Sequence, residues 1–260
     1  MSEQSHRSDP RILNRRTLER DHRRLADLLR PGMSVLDVGC GTGAITAGIA
    51  RKIAPTGQAL GVDRDETLLA DARQEHQSVR NLMFENRDAL CLPFENRFDV
   101  VTAARTLQWI SQPDVVIAGM KAAAKPGEWV VVLDYNHENN SWEPLPPLEF
   151  RRFHQAFLDW RKANNWDNRI ADHLPDLFRS AGMKSIQTFL DDETVLRGDP
   201  EFLAAAAIWS HVIQRTGAAI VAAGFLHRRD LLAAEECYEG WAQSRLQKQS
   251  LSMRTVVSTT

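Results

Sequence analysis

Cysteine is scarce in this chain, and the three that occur, Cys40, Cys91 and Cys237, are odd in number and far apart. No Cys-x-x-Cys or Cys/His ligand spacing connects them, so neither a disulfide framework nor a metal site is expected, and a reducing, cytoplasmic setting is. The sequence also lacks any apolar run long enough to span a bilayer, and its first residues, MSEQSHRSDPR, are polar; neither export nor membrane contact is expected. A basic excess is missing too. With 32 basic and 34 acidic side chains the formal net charge is −2, which argues against a general nucleic-acid binder. Internal repeats and low-complexity tracts are absent.

One local basic cluster qualifies that balance. Arg11, Arg15, Arg16, Arg20, Arg23, Arg24 and Arg30 are interleaved with Leu13, Leu18, Leu25, Leu28 and Leu29. The pattern predicts an amphipathic helix with packed leucines and solvated arginines, in preference to an RNA-binding arm.

What is present is enough apolar material, 43% of 260 residues, to bury a core without covalent staples. From residue 30 to 134 short β-branched runs alternate with amphipathic stretches, the pattern of a parallel sheet with crossover helices. Strands are predicted at 34–38 (SVLDV), 58–63 (QALGVD), 82–86 (LMFEN), 98–103 (FDVVTA) and 129–135 (WVVVLDY). Ile45, Ile49 and Ile53 mark a helix over 44–53, and Leu68, Leu69 and Ala72 mark another over 65–74. Pro113 and Asp114 open a further helix, which Lys125-Pro126-Gly127 ends.

After Tyr135 the rhythm changes. NHENNSWEPLPP leads into a helix with Phe150, Phe153 and Phe157 on one face, a connection too long for a compact α/β unit. The predicted organisation is an N-terminal helical segment (1–30), a core (31–135), a helical insertion (136–170), a core continuation (171–192), a second helical insertion (193–250) and a final core strand (251–260).

The stretch VLDVGCGTG, residues 35–43, carries the chemistry. Three alternate glycines directly after a buried strand mark a backbone that bends sharply and lets something approach closely. Asp63 ends the second strand, where a carboxylate can accept hydrogen bonds from both hydroxyls of a ribose. VLDVGCGTG resembles motif I of the class I S-adenosylmethionine-dependent methyltransferases. GVDRDETLL is similar to the second motif of that family, RDALCLPFENRFDVV to its adenine loop and fourth strand, and KPGEWVVVLD to the entry of its fifth strand.

The resemblance implies an α/β fold with a seven-stranded, mostly parallel, doubly wound Rossmann-like sheet, its last strand antiparallel, carrying helical lid insertions. It implies S-adenosylmethionine as cofactor, held by Gly39, Cys40, Gly41 and Gly43, with Asp37 orienting the amino group and Asp63 and Arg64 at the ribose. Asp88 with the amide of Ala89 resembles the adenine-recognising pair, and Arg105 is expected to contribute main-chain contacts. Gln108 and Trp109 stand where the family usually carries histidine, so no histidine role is expected there.

Methyl transfer from a sulfonium is an in-line displacement, for which alignment and exclusion of water matter most. Where the acceptor must lose a proton, His137 is the candidate base; the alternative is a loop histidine bonded to its neighbours. A small-molecule acceptor is the leading expectation. RNA or protein methylation, nicotinamide-dependent oxidoreduction and cofactor binding without catalysis are the competing ones.

Overall fold

The computed structural model describes residues 10–260, so the first nine residues of the expected N-terminal segment lie outside it. Three short helices, α1 (Pro10–Leu13), α2 (Leu18–Asp21) and α3 (Arg23–Leu28), lead into β1 (Ser34–Val38), α4 (Ala44–Ile53), β2 (Gln58–Asp63), α5 (Glu66–Glu75), β3 (Leu82–Asn86), β4 (Phe98–Ala104), α6 (Pro113–Ala123) and β5 (Ala124–Tyr135). There follow β6 (Ser141–Glu143), α7 (Leu148–Ala163), α8 (Ile170–Ser180), β7 (Lys184–Leu190), β8 (Glu193–Leu196), α9 (Phe202–Ala206), α10 (Ile208–Ala222), α11 (Arg228–Ser244), β9 (Lys248–Leu251) and β10 (Met253–Thr259). Among the described residues no helix is long and apolar enough to cross a membrane.

The chain divides into two compact units. The first runs to Asp134 and adds Ala171–Leu190 and Arg254–Thr260; the second comprises Tyr135–Ile170 and Asp191–Met253.

The first unit is built on a seven-stranded sheet in the order β3-β2-β1-β4-β5-β10-β7. The pairs β2/β3, β1/β2, β1/β4 and β4/β5 are parallel, and β10 is antiparallel to β7. Val35, Leu36, Val38, Val100, Val101 and Val130 to Val132 are essentially inaccessible, as expected of parallel strands covered on both faces. Strand order reverses between β1 and β4, so the loops leaving their carboxyl ends diverge and open a crevice. Lys125-Pro126-Gly127 falls inside β5 and not in a turn before it. The pairing shifts there from Phe98↔Ala124 to Val100↔Trp129, a bulge that absorbs the extra residues.

The N-terminal region is not one amphipathic helix but three short ones. Thr17 caps α2, its hydroxyl accepting from Arg20 N at 3.3 Å, and His22 adopts a non-helical conformation between α2 and α3. Leu18, Leu25 and Leu29 are buried with Ile45, Ile49 and Ile53. His22 is 1% exposed and its Nε2 lies 2.7 Å from Thr102 Oγ1; the Thr102 hydroxyl donates onward to Val131 O at 2.9 Å. Since Thr102 spends its proton on Val131, His22 donates to Thr102.

The second unit is not purely helical. Helices α7, α9, α10 and α11 are joined by a three-stranded antiparallel sheet, β6-β9-β8, which draws its strands from both expected insertions. These strands span only three or four residues, too few for an alternating pattern to stand out in the sequence. Phe150, Phe153 and Phe157 are buried, and Trp209 has its ring centroid within 5.7 Å of Trp142, Phe150, His154 and Phe157. Arg161 is also fully buried, donating from Nε to Asn168 Oδ1 at 2.8 Å with its guanidinium over Phe157.

Replacing Thr102 by valine keeps the shape but strands the His22 N–H and removes one hydrogen bond from the Val131 carbonyl. Thr102→Val is expected to lower stability by about 1–3 kcal/mol, read from denaturant unfolding of both proteins.

Candidate active site

The loop after β1 is pulled against the end of β2: Gly39 N and Cys40 N both donate to Val62 O, at 2.8 and 3.0 Å. Gly39 and Gly41 have φ of +76° and +56°, the left-handed region that side chains disfavour. Packing adds to that demand at Gly39, where a Cβ would fall 2.4 Å from the Thr106 side chain. The turn from β1 and the loop from β4 therefore meet with almost nothing between them.

Asp63 closes the opposite side. Its Oδ2 accepts from Gly41 N at 2.8 Å and its Oδ1 from Asp65 N at 2.9 Å, so the carboxylate is oriented from both ends. Each oxygen keeps a further lone pair for a ligand hydroxyl. Asp65 in turn caps α5 by accepting from Thr67 N and Leu68 N.

A cleft at the carboxyl ends of these strands is lined by Val38, Gly39, Gly41, Asp63, Arg64, Asp88, Ala89, Arg105 and Thr106. Seven of the residues expected at a cofactor are thus brought together: Gly39, Gly41, Asp63, Arg64, Asp88, Ala89 and Arg105. Asp88 is exposed and accepts from Leu90 N at 2.9 Å, which shapes the turn that presents Ala89.

Asp37, Cys40 and Gly43 are not in the lining. Asp37 is 3% exposed and accepts from Thr46 Oγ1 at 2.7 Å, tying β1 to α4 behind the loop. Burial, opposed by the Thr46 hydrogen bond and reinforced by the charge of Asp63, pushes its carboxyl up to about 6. Burial and the same two carboxylates hold the Cys40 thiol well above its ordinary range, so it stays protonated. Gly43 stands at the start of α4 against Phe84, where a Cβ would lie 2.4 Å from its ring; packing already requires glycine here.

Thr106, Trp109 and Ile110 line the cleft without having been expected, and so do Leu13 and Arg16. Trp109 carried a signal, standing in the run after the fourth strand. Leu13 and Arg16 carried none, since an amphipathic pattern does not say what its ends reach.

His137 belongs to the second unit. It is 7% exposed, its ring stacks on Tyr135 at 5.1 Å and meets Phe157 edge-on at 5.6 Å, and its N–H donates to Asn168 O from the main chain. Burial, with Arg161 and His154 nearby, holds its imidazole well below the ordinary range, hence neutral. This is the environment of a packed ring. The second unit also has a cavity of its own, about 690 Å³, with Trp142, Leu145, Pro146, Phe150 and His154 among its walls. Burial lowers His154 to about 4, partly offset by a hydrogen bond to the His137 main chain.

A family model described as a methyltransferase domain matches residues 29–182, more than half of the chain. The chain belongs to that family, the class I S-adenosylmethionine-dependent methyltransferases. It is 30% identical over 187 residues to the demethylmenaquinone methyltransferase of Lactococcus lactis, covering 64% of this chain and 70% of that protein. To the ubiquinone/menaquinone biosynthesis C-methyltransferase UbiE of Burkholderia multivorans it is 38% identical over 120 residues, 45% of this chain and 48% of the other, so this match spans about half of each. Haemonchus contortus phosphoethanolamine N-methyltransferase 2, solved with S-adenosyl-L-methionine, shares the fold at a TM-score of 0.55 and 17% identity, covering 89% of this chain and 49% of that one. The methyltransferase uses S-adenosylmethionine. Bare main chain at Gly39 and Gly41, facing an oriented carboxylate at Asp63, fits that nucleoside.

The raised Asp37 carboxyl makes a pH prediction. An unfolded aspartate releases its proton near 3.8 and the folded one near 6, so the folded state holds the extra proton between these values. Stability from this group therefore falls as pH rises through that window, by about 3 kcal/mol in all. Asp37→Asn is expected to melt near the wild type at pH 4.5 and above it at pH 7.5, in thermal scans at both values.

Proposed function

We propose that the enzyme transfers the methyl group to a small organic acceptor with an electron-rich, quinol-like ring. The observation that carries the reading is the cleft formed by Gly39, Gly41 and Asp63, joined to kinship with relatives named for quinone methylation. An aromatic-walled cavity in the second unit, and a net charge of −2 that offers no general attraction for RNA, support an acceptor of this kind.

The cofactor supplies a methyl group on a sulfonium, an excellent leaving group, so the protein's task is placement. Gly39 and Gly41 present main-chain groups without side-chain obstruction. Asp63 accepts the ribose hydroxyls while its own backbone bonds hold it still. Asp88 and the Ala89 amide recognise the adenine edge, with Arg64 beside the sugar. Asp37, from behind, adds negative charge toward a cationic ligand; Cys40 stays a neutral thiol. Precise alignment of this sort is worth several orders of magnitude in rate.

Asp63→Ala removes two charge-assisted hydrogen bonds and is expected to weaken S-adenosylhomocysteine binding by ~10–100-fold in calorimetry. Gly41→Val is expected to lose binding at least as strongly, because valine cannot take φ +56° at ease. Full affinity in both variants would refute the cleft as the cofactor site. For the acceptor, labelled methyl transfer to a demethylated quinol, to tRNA and to protein is compared; the quinol is expected to be methylated and the polymers not.

His137 is assigned a packing role in this reading. His137→Ala is expected to lower stability while leaving turnover per folded molecule within about threefold, set against the 10²–10⁴-fold that loss of a general base removes. A fall of the larger size in folded protein would reinstate it as the base.

A further inference from the structure

One wall of the cofactor cleft comes from neither the glycine loop nor the other strand ends. Leu13 and Arg16 line the same cleft as Gly39, Gly41 and Asp63. Leu13 Cδ1 lies 2.9 Å from where a Cβ on Gly41 would be, so its side chain rests on the bare face of the glycine turn. The N-terminal segment is thus part of the pocket.

That segment is held unevenly. Toward its carboxyl end it is anchored deeply: Leu18 packs so near α4 that a Cβ on Gly48 would fall 2.7 Å from Leu18 Cβ, and His22 is bonded to Thr102 inside the sheet. Toward its amino end Asn14 and Arg15 are exposed, and the Arg15 carbonyl accepts from Arg20 Nη2 at the surface.

Arg105 sits between these regimes. Its φ is +59°, a conformation that residues other than glycine rarely adopt, and the residue lines the cleft. The side chain is 2% exposed and turns away toward α2: Nη1 donates to Asp21 O at 3.0 Å, and Nη2 lies 3.9 Å from Asp21 Oδ1. The other carboxylate oxygen, Oδ2, accepts from Thr17 N at 2.7 Å and from Arg20 Nε at 3.0 Å. One buried carboxylate therefore links Arg105, at the cleft, to Thr17, four residues from Leu13.

We propose that Arg105 is a positioning residue that straps residues 10–21 across the cofactor cleft through Asp21, coupling the order of that segment to cofactor binding. The proposal rests on the cleft being the cofactor site. If the strap must be closed for Leu13 and Arg16 to complete the wall, whatever loosens the strap weakens the cofactor. By reciprocity the cofactor must also quieten the strap.

Arg105→Gly is the discriminating variant, because glycine takes φ +59° without strain, so the side chain is lost while the backbone conformation is kept. Its KM for S-adenosylmethionine is expected to rise ~10-fold or more, the usual scale of coupling between sites, with kcat little changed. Arg105→Lys, which keeps the charge but not the fork, is expected to fall between it and the wild type. In the wild type, S-adenosylhomocysteine should slow amide hydrogen exchange over residues 13–22 by ~10-fold or more, and in Arg105→Gly it should not.

Unchanged KM in Arg105→Gly overturns the proposal, and so does wild-type exchange over 13–22 that ignores bound S-adenosylhomocysteine, whether or not any variant folds. A role in folding alone would lower the melting temperature while leaving the KM of the folded fraction in place, which also overturns it. If instead Gly41→Val binds S-adenosylhomocysteine normally, it is the cleft assignment that fails.

Discussion

The carboxylate of Asp63 is the constraint on which the site depends. One oxygen holds the amide of Gly41, at the tip of the loop leaving β1, and the other holds the amide of Asp65, at the start of the turn into α5. A single side chain fixes the separation of the two loops that border the cleft. Because these bonds occupy one lone pair on each oxygen, the same group that shapes the cleft can still receive a ligand. Shape and recognition are thus properties of one residue, and a change there disturbs both.

Beside that carboxylate stands a second one. Asp37 lies buried behind the loop, where burial and Asp63 both oppose its ionisation. Such an arrangement is costly. The cost of an ionised Asp37 falls wherever positive charge comes near, so the buried carboxylate favours cationic company over anionic.

Most of the first unit was legible because buried parallel strands and amphipathic helices leave strong periodic signals; SVLDV, QALGVD and LMFEN are strands at the residues expected. The cleft residues Gly39, Gly41, Asp63, Asp88 and Ala89 were legible because glycine spacing and strand-end acids have few other uses. Gly43 shows the limit of that inference: its absence of a side chain serves Phe84, not the cleft. Leu13 and Arg105 were opaque in a deeper sense. The first reads as any leucine of an amphipathic stretch, and which way the guanidinium of the second turns depends on a backbone conformation that composition does not encode. The short strands β6, β8 and β9 were missed because pairing, not pattern, defines them.

The second excursion of the chain away from the sheet begins and ends at adjoining points: Asp191 N donates to Met253 O at 3.1 Å, and Met253 N to Asp192 Oδ1 at 2.8 Å. A closed neck of this sort makes the entropy of what hangs from it nearly indifferent to length, since doubling a loop adds only about 0.6 kcal/mol. Evolution can therefore lengthen, shorten or exchange what lies between residues 191 and 253 without renegotiating the strands on either side.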